Sequence, residues 1–224
     1  MHKAAALFLV ASLCSFTYRS QFSDEYTEAL SFLSKNNTVI SNTCRTYNTD
    51  EALLKSIIFP ELTRYSLFKD FFESSGNEVL YVNGGRTACD FSIGNFQMKP
   101  SFAEDIESLI SINEKKQTYK DVLTYKATDE KSQRRERVER LKQTNWQTIY
   151  LCAFVALTSN KVPQGISREE QIRFYAAAYN LGLKKSAADI LSWQSVAAFP
   201  YGKGRSKFAY ADVALEYYKS LKQP

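Results

Sequence analysis

Residues 146–160, with the sequence WQTIYLCAFVALTSN, are apolar around nearly the whole circumference of a helix. A helix with no water-preferring side is predicted to lie at the centre of a domain, covered by other elements. The chain has 224 residues, of which 44% are apolar and 24% charged, so it is long enough and apolar enough to build that cover. We therefore predict a single, mainly α-helical domain around this segment.

A second strong helical pattern lies at residues 50–72. Its apolar residues recur at positions 53, 54, 57, 58, 62, 65 and 68, the spacing of a helix that buries one face. Thr49 or Asp50 is suited to cap its start. Pro60 lacks an amide hydrogen, so we expect it to kink or break the helix.

Two further helices are indicated by their first turns. Ser101 with Glu104, and Ser167 with Glu170, have the spacing of a capping box, in which a hydroxyl and a carboxylate satisfy the free amides at a helix start. Gly182 is suited to end the second of these helices.

Three stretches predict something other than a buried helix. Residues 35–43 are expected to form a loop. Residues 79–85, VLYVNGG, predict a brief strand and a glycine turn, which gives a short β/loop segment near residues 79–97. Residues 129–146 are dense in both signs of charge, which is typical of a solvated helix.

The first 20 residues have the pattern of a signal peptide. A basic start is followed by an apolar run at positions 4–14 that is too short to span a bilayer. We expect an exported protein, periplasmic or secreted, whose mature domain covers residues 21–224. Cys14 is a candidate lipid-attachment site, but Leu13 before it fits a lipobox poorly, so a lipoprotein is the less favoured alternative. No other segment is apolar for long enough to cross a membrane.

Removal of such a leader leaves three cysteines, Cys44, Cys89 and Cys152. An odd number cannot pair completely within one chain. Cys44 with Cys89 is a candidate bridge in an oxidising compartment, whereas Cys152 lies in the apolar central segment and is expected to be a core thiol.

The single histidine, His2, lies in the leader. This excludes Ser-His-Asp triads, Cys-His pairs and histidine-rich zinc sites from the mature protein. An acid or base must then be a carboxylate, a lysine, a tyrosine or a thiol. The net charge of +5 favours an anionic partner only weakly, and the basic residues are not interleaved with aromatics as in a nucleic-acid groove, so no nucleic-acid partner is expected.

Glu61 is unusual among the carboxylates because of its helical neighbours. Ile58, Ile57 and Leu54 precede it by three, four and seven residues, and Tyr65 follows it by four. Its side chain therefore emerges from the apolar stripe, where desolvation raises the pKa of a carboxyl group toward the range useful to a general acid.

Three stretches, SIIFPEL, SIGNFQMKPSFA and FYAAAYNLG, follow one another in the chain. In order and style they resemble the three motifs of lysozyme-like soluble lytic transglycosylases: a glutamate on an apolar helix, a glycine-x-x-glutamine loop followed by proline, and an alanine-tyrosine-asparagine-x-glycine helix end. The resemblance covers about residues 50–182 and implies a lysozyme-like helical domain.

The resemblance also assigns roles. Glu61 matches the catalytic acid and base of that family, and Gly94 with Pro100 is expected to fix the loop so that the amide of Gln97 faces a glycan. The substrate-binding candidates implied by the three motifs are Gly94, Gln97, Met98, Tyr179 and Asn180.

The chain departs from the family pattern at two points. The family usually has serine directly after the glutamate, where this chain has Leu62, and its glutamate and glutamine usually lie closer together. Glu73, which is followed by serine, gives a shorter interval similar to that of goose-type lysozymes. Its neighbours at the helical offsets are polar, so Glu61 is preferred and Glu73 is kept as an alternative.

The family resemblance implies cleavage of peptidoglycan glycan strands between N-acetylmuramic acid and N-acetylglucosamine, with one glutamate acting in turn as acid and base and a 1,6-anhydro sugar as product. It implies neither a metal nor an organic cofactor. Two alternatives remain: a hydrolytic lysozyme of the goose type, and a non-catalytic wall-binding or assembly protein on the same fold.

Overall fold

The computed structural model describes residues 17–72, 75–201 and 206–222. The predicted leader core at residues 1–16 and the alternative acid Glu73 lie outside the described residues. Twelve α-helices and one two-stranded antiparallel hairpin make up the described part, which confirms the mainly α class.

The helices are α1 (Tyr18–Gln21), α2 (Ser23–Lys35), α3 (Asn37–Thr46), α4 (Glu51–Phe72), α5 (Ser75–Gly84), α6 (Pro100–Ser111), α7 (Lys120–Leu123), α8 (Glu130–Leu141), α9 (Thr144–Thr158), α10 (Arg168–Leu181), α11 (Ala187–Trp193) and α12 (Tyr210–Ser220). Short 3-10 turns occur at Glu114–Lys116 and Ser159–Lys161. The strands are β1 (Ala197–Phe199) and β2 (Phe208–Ala209), paired antiparallel.

Helix α4 is one of two packing centres and contacts α2, α10 and α12. Leu54, Ile57 and Ile58 on its predicted apolar stripe have no exposed surface. Asp50 caps its start by accepting a hydrogen bond from the Leu53 amide at 2.8 Å. The helix continues past Pro60 without a break, because the packed core around this turn offsets the hydrogen bond that proline cannot make.

Helix α9 is the second packing centre, in contact with α3, α6, α8 and α10. Its side chains are buried on all sides over most of its length, as the apolar composition predicts. Within the described ranges, no helix is both long and apolar enough to traverse a bilayer.

The brief strand predicted within residues 79–85 is wrong, because residues 79–84 belong to helix α5, whereas the predicted glycine turn follows at Gly85, whose φ is +71°. Tyr81 is fully buried there, and its hydroxyl donates to Glu104 of α6 at 2.7 Å. Tertiary packing therefore overrides the strand propensity of valine and tyrosine. The loop part of the prediction is correct for residues 85–97, and the non-helical stretch continues to residue 99, with one isolated antiparallel bridge joining Ile93 to Met98. The predicted loop at 35–43 is also wrong, since α3 covers most of it.

The two capping predictions had different outcomes. The Ser167–Glu170 box is present at the start of α10, which ends at Gly182 as predicted. Helix α6 instead begins with Pro100 in its first turn and has no box. Ser101 donates its hydroxyl to Asp90 at 2.8 Å, so a loop carboxylate ahead of the helix serves its first turn.

The charged helix α8 is not solvated on every side. Arg137 and Arg140 are 8% and 4% exposed. Arg137 donates to Glu107 at 2.6 Å and to the Tyr81 hydroxyl at 2.7 Å, and the Tyr150 hydroxyl donates to the same Glu107 at 2.6 Å. A buried ion pair with this many hydrogen bonds offsets the desolvation of its charges, which composition alone could not reveal.

Tyr18 and Arg19, which the prediction places in the leader, contact the domain. Tyr18 is 1% exposed and its hydroxyl shares a 2.9 Å hydrogen bond with Thr63 of α4. The amides of Tyr18 and Arg19 donate to the carboxylate of Glu216 in α12.

The candidate bridge between Cys44 and Cys89 is not formed, and the described cysteines are all free thiols. Cys152 is a buried core thiol as predicted. The interaction with Cys152, together with burial, raises the pKa of the Cys44 thiol, whereas Cys89 has no such influence on it.

Candidate functional site

A cleft of about 460 Å³ opens between the second half of α4, the loop at 90–99, the start of α6 and the end of α10. Five of the six predicted site residues line it, and the sixth, Gly94, does not. The lining includes Glu61, Gln97, Met98, Tyr179 and Asn180.

Glu61 is 5% exposed at the wall of this cleft. Burial raises the pKa of its carboxyl above the usual range for glutamate, and the charge and hydrogen bond of Arg64 act in the opposite direction. The raised pKa is the behaviour predicted from the apolar stripe of the helix.

Two side chains influence the Glu61 carboxyl. Arg64, one turn further along α4, donates from Nη1 to Oε2 at 3.0 Å. The Tyr210 hydroxyl acts in the same direction as Arg64 and lowers the pKa of Glu61, while its hydrogen is donated to the Ile57 carbonyl oxygen at 2.9 Å.

Arg64 and Tyr201 were not singled out from the sequence. The guanidinium of Arg64 lies over the Tyr201 ring, 5.4 Å from its centroid, and the Tyr201 hydroxyl donates to Asn180 Oδ1 at 3.0 Å. The spacing of three residues between Glu61 and Arg64 was a usable signal, because such residues share a helix face. Tyr201 carries no local signal, since the fold alone brings it to the cleft.

Asn180 is held as a hydrogen-bond acceptor. Its Oδ1 receives the Tyr201 hydroxyl and also the indole Nε1 of Trp193 in α11, the latter at 2.9 Å. Two donors on one oxygen fix the orientation of the amide, which leaves its NH₂ group as a donor.

Tyr179 supports the glutamine loop. Its hydroxyl donates to the Phe96 carbonyl at 2.8 Å, and its ring packs edge-on against Phe102 and Phe154. Burial, together with the nearby charge of Glu61, raises the pKa of Tyr179 well above that of a free phenol. The charge of Glu61 therefore affects the pKa of Tyr179, although the Tyr179 hydroxyl is hydrogen-bonded to the Phe96 carbonyl of the loop and not to Glu61.

Gln97 sits at the end of a tight turn closed by the Ile93–Met98 bridge. Its backbone has a positive φ of 52°, and its side-chain Nε2 donates to the Gly94 carbonyl at 2.9 Å. The side chain is 6% exposed, and its Oε1 has no hydrogen-bond partner among the described residues. An acceptor in this state gains free energy when a donor reaches it.

Gly94 shapes the turn without lining the cleft. Its φ is +65°, and a Cβ at this position would lie 2.6 Å from Gln147 Nε2 and 2.7 Å from the Leu141 carbonyl oxygen. Both the conformation and the space therefore require glycine.

Gln147 of α9 clamps the same turn and was missed in the sequence, where it reads as one polar residue in an apolar run. It is fully buried. Its Nε2 donates to the Ile93 carbonyl at 2.9 Å, and its Oε1 accepts from the Phe96 amide at 3.4 Å. A buried amide with both ends satisfied by one loop fixes that loop firmly.

Besides Glu61, the described lining contains two carboxylates, Asp90 and Asp105. Asp90 accepts from the Ser101 amide and hydroxyl. Partial burial of Asp105 acts to raise its pKa, but hydrogen bonds from Arg86 at 2.6 Å and Lys184 at 2.8 Å lower it overall. Glu61 is therefore the lining carboxylate whose environment favours the protonated form.

Among the described residues, no group of three or more histidine, cysteine, aspartate or glutamate side chains has an arrangement that could hold a metal ion. Comparison of the chain with family models, with curated proteins and with solved structures found no match. A function must therefore be proposed from the chemistry of the cleft.

Proposed function

We propose that this protein is a peptidoglycan lytic transglycosylase in which Glu61 acts first as general acid and then as general base. The observation that carries the proposal is the raised pKa of Glu61 in a cleft that it shares with Gln97, Tyr179 and Asn180. Glycan-cleaving enzymes commonly need two carboxyl groups flanking the bond, and the other two lining carboxylates are engaged as a helix cap and as a partner of two cations.

The first step is cleavage of the bond between N-acetylmuramic acid and N-acetylglucosamine. The protonated Glu61 gives its proton to the bridging oxygen, which leaves with the bonding electrons on the N-acetylglucosamine side. The muramic acid ring becomes oxocarbenium-like at its anomeric carbon. A carboxyl whose pKa is raised by burial carries this proton at a higher pH than an exposed one.

The second step closes the product. Glu61, now a carboxylate, removes the proton from the C6 hydroxyl of the same muramic acid while that oxygen bonds to the anomeric carbon. The product is the 1,6-anhydro sugar, no water is consumed, and Glu61 regains its proton. Neither step calls for a metal or an organic cofactor.

Neighbouring groups would support the positive charge of the intermediate. The Tyr179 hydroxyl oxygen, backbone carbonyls of the loop and the acetamido group of the substrate are the candidates. The NH₂ group of the anchored Asn180 would donate to acetamido or hydroxyl oxygens of the glycan, and a shift of the Gln97 side chain would bring its buried, unpartnered Oε1 to a glycan donor. The substrate lies outside the cytoplasm, which agrees with the proposed export of the chain.

The product analysis is the test. Purified cell-wall sacculi are digested with the wild type and with Glu61→Gln, and the soluble fragments are analysed by mass spectrometry. The wild type is expected to release anhydro-muramic ends, and the variant to lose activity at least about 100-fold. Glu130→Gln is the matched control, because that side chain is 83% exposed on α8.

Other products decide between the alternatives. Reducing muramic ends in place of anhydro ends would overturn the transglycosylase proposal and support a hydrolytic lysozyme. Loss of activity in Glu73→Gln but not in Glu61→Gln would transfer the acid role to Glu73.

A non-catalytic wall-binding protein is the second candidate, and the Glu61–Arg64 ion pair favours it, since it stabilises the ionised carboxylate. In that case the wild type and Glu61→Gln sediment equally with sacculi and neither releases fragments.

A further inference from the structure

The ring of Tyr18, at the start of the described residues, packs against both strands of the β1–β2 hairpin. Its centroid lies 5.9 Å from that of Phe199 in β1, 5.3 Å from that of Phe208 in β2 and 4.6 Å from that of Phe22. The side chain is 1% exposed. Loss of Tyr18 would therefore leave a cavity among these rings, and such cavities destabilise a domain.

The Tyr18 hydroxyl is bonded to the turn of α4 that carries Glu61. Thr63 donates its hydroxyl hydrogen to the Pro60 carbonyl at 2.7 Å, so its oxygen is left to accept from the Tyr18 hydroxyl at 2.9 Å. Both hydrogen bonds are buried. Pro60 and Thr63 lie on either side of Glu61 in the chain, so Tyr18 helps to fix this part of the helix.

The backbone at Tyr18 is bonded to the last helix. The amides of Tyr18 and Arg19 donate to Oε2 and Oε1 of Glu216 in α12, at 3.1 and 3.0 Å. Tyr18 thus has partners in the hairpin, in α4 and in α12. These contacts assign Tyr18 to the folded domain and not to the leader.

The sequence around Tyr18 agrees with this assignment. Leader peptidases cut after a pattern with small residues one and three positions before the cut. A cut after Ser20 would put the bulky Tyr18 at the third position. The tripeptides SLC at 12–14 and SFT at 15–17 each begin and end with a small residue, so two suitable sites lie upstream of Tyr18.

We propose that the leader is cut before Tyr18, after residue 14 or residue 17, and that Tyr18 stays in the mature protein. This moves the start of the mature domain from residue 21 to residue 18 or earlier. The proposal rests on the predicted export and is independent of glycan cleavage.

The cut is the hydrolysis of one peptide bond by one water molecule, carried out by a leader peptidase of the host. It gives a carboxylate on the leader and an ammonium group on the mature chain. A cut after residue 17 would place that ammonium at the Tyr18 nitrogen, 3.1 Å from Glu216 Oε2. The existing hydrogen bond would then be strengthened by opposite charges.

Analysis of the N-terminus of the exported protein tests the cut. The full chain, leader included, is expressed in a bacterial host, the exported form is purified, and its N-terminal peptide is identified by mass spectrometry. We expect a first residue at position 15 or 18. A first residue at position 19 or later, or a chain that still carries its leader, would overturn the proposal.

Thermal unfolding of the exported forms is a second readout. Tyr18→Ala in the full chain should lower the midpoint by roughly 6–20 °C when Tyr18 is retained. If Tyr18 is removed with the leader, the variant and the wild type yield the same mature protein, so equal midpoints would also overturn the proposal. Ile112→Ala, at an apolar position that is 83% exposed, is the matched control and should keep the wild-type midpoint.

A milder variant keeps the test valid if Tyr18→Ala does not fold. Tyr18→Phe retains the ring and loses the hydrogen bond to Thr63, so a midpoint lower by roughly 2–5 °C is expected. Equal midpoints for Tyr18→Phe and the wild type would count against retention of Tyr18. Sacculus digestion is scored separately: a mature chain that begins at Tyr18 but releases no fragments would refute the proposed function and leave the processing site standing.

Discussion

Arg64 Nη1 and Glu61 Oε2 lie 3.0 Å apart, one turn along the same helix, at the wall of the cleft. The guanidinium is the strongest influence that keeps the carboxyl ionised, while burial acts against it. A general acid has to be protonated, so this pair sets the pH range over which Glu61 can start the reaction.

Replacing Arg64 by glutamine should therefore extend activity to higher pH. Activity that depends on protonated Glu61 falls as the pH rises through its pKa, and loss of the cation raises that pKa. We expect the alkaline limb of the pH–activity profile of sacculus digestion to move up by roughly one pH unit. Arg135→Gln, at an exposed position of α8, should leave the profile unchanged. An unshifted alkaline limb in Arg64→Gln would mean that another group controls it.

The raised pKa of Glu61 also predicts a stability effect. A buried carboxyl with a raised pKa binds its proton more tightly in the folded state, so its contribution to stability is complete below the unfolded pKa and is lost as the pH rises through the folded pKa. Glu61→Gln keeps the shape and removes the charge. It should raise the free energy of unfolding relative to wild type at pH 8.

Denaturant unfolding at two pH values checks this expectation. The advantage of Glu61→Gln should shrink at pH 4, where the wild-type carboxyl is protonated in the folded state and mostly protonated in the unfolded state. A variant that is less stable than wild type at pH 8 would show that the ion pair with Arg64 outweighs desolvation.

Gly94 and Gly165 both have a positive φ, but only Gly94 is crowded, so alanine at each position compares a crowded site with an open one. Alanine at Gly94 combines a positive φ with close contacts to Gln147 and to the Leu141 carbonyl. Gly165 has a φ of +74° but nothing within 4 Å of the added Cβ. We expect Gly165→Ala to cost about 1 kcal/mol and Gly94→Ala at least about 2–3 kcal/mol, with loss of wall cleavage in the second variant only. Equal costs in thermal unfolding would show that the turn relaxes around the methyl group.

The parts of this fold that could be predicted are those whose signal is local. The apolar circumference of α9, the stripe around Glu61 and the capping box at Ser167 depend only on neighbours in sequence, and the structure agrees with each. The burial of Arg137 could not be predicted, because its partner Glu107 lies on another helix.

The residues of the cleft also fall into two groups, those that could be located from the sequence and those that could not. Gln97 and Asn180 were located because the short stretches that contain them, SIGNFQMKPSFA and FYAAAYNLG, resemble motifs of a known family. Tyr201, Tyr210 and Gln147 come to the site through contacts between distant elements, and none has a motif of its own. At residues 79–84 the local signal was misleading. The sequence favours a strand there, but packing of α5 on α8 makes the stretch helical.

Gln147 gives the most direct test of whether the glutamine turn must be held rigid. Gln147→Leu removes the donor to the Ile93 carbonyl and the acceptor for the Phe96 amide, which leaves the Phe96 amide without its partner while the Ile93 carbonyl still accepts from the Met98 amide at 3.2 Å. We expect a loss of about 2–3 kcal/mol in unfolding free energy. The turn that carries Gln97 should also lose its fixed position, so sacculus binding should weaken along with cleavage.

A matched control separates the clamp from a general effect of leucine. Gln117 is exposed next to a 3-10 turn, so Gln117→Leu should leave stability and activity close to wild type. Gln147→Glu keeps the acceptor for the Phe96 amide while replacing the NH₂ donor, so it should keep part of the stability but not the contact to Ile93. If Gln147→Leu unfolds like wild type and still cleaves sacculi, the turn is held by the Ile93–Met98 bridge and the Tyr179 hydrogen bond alone.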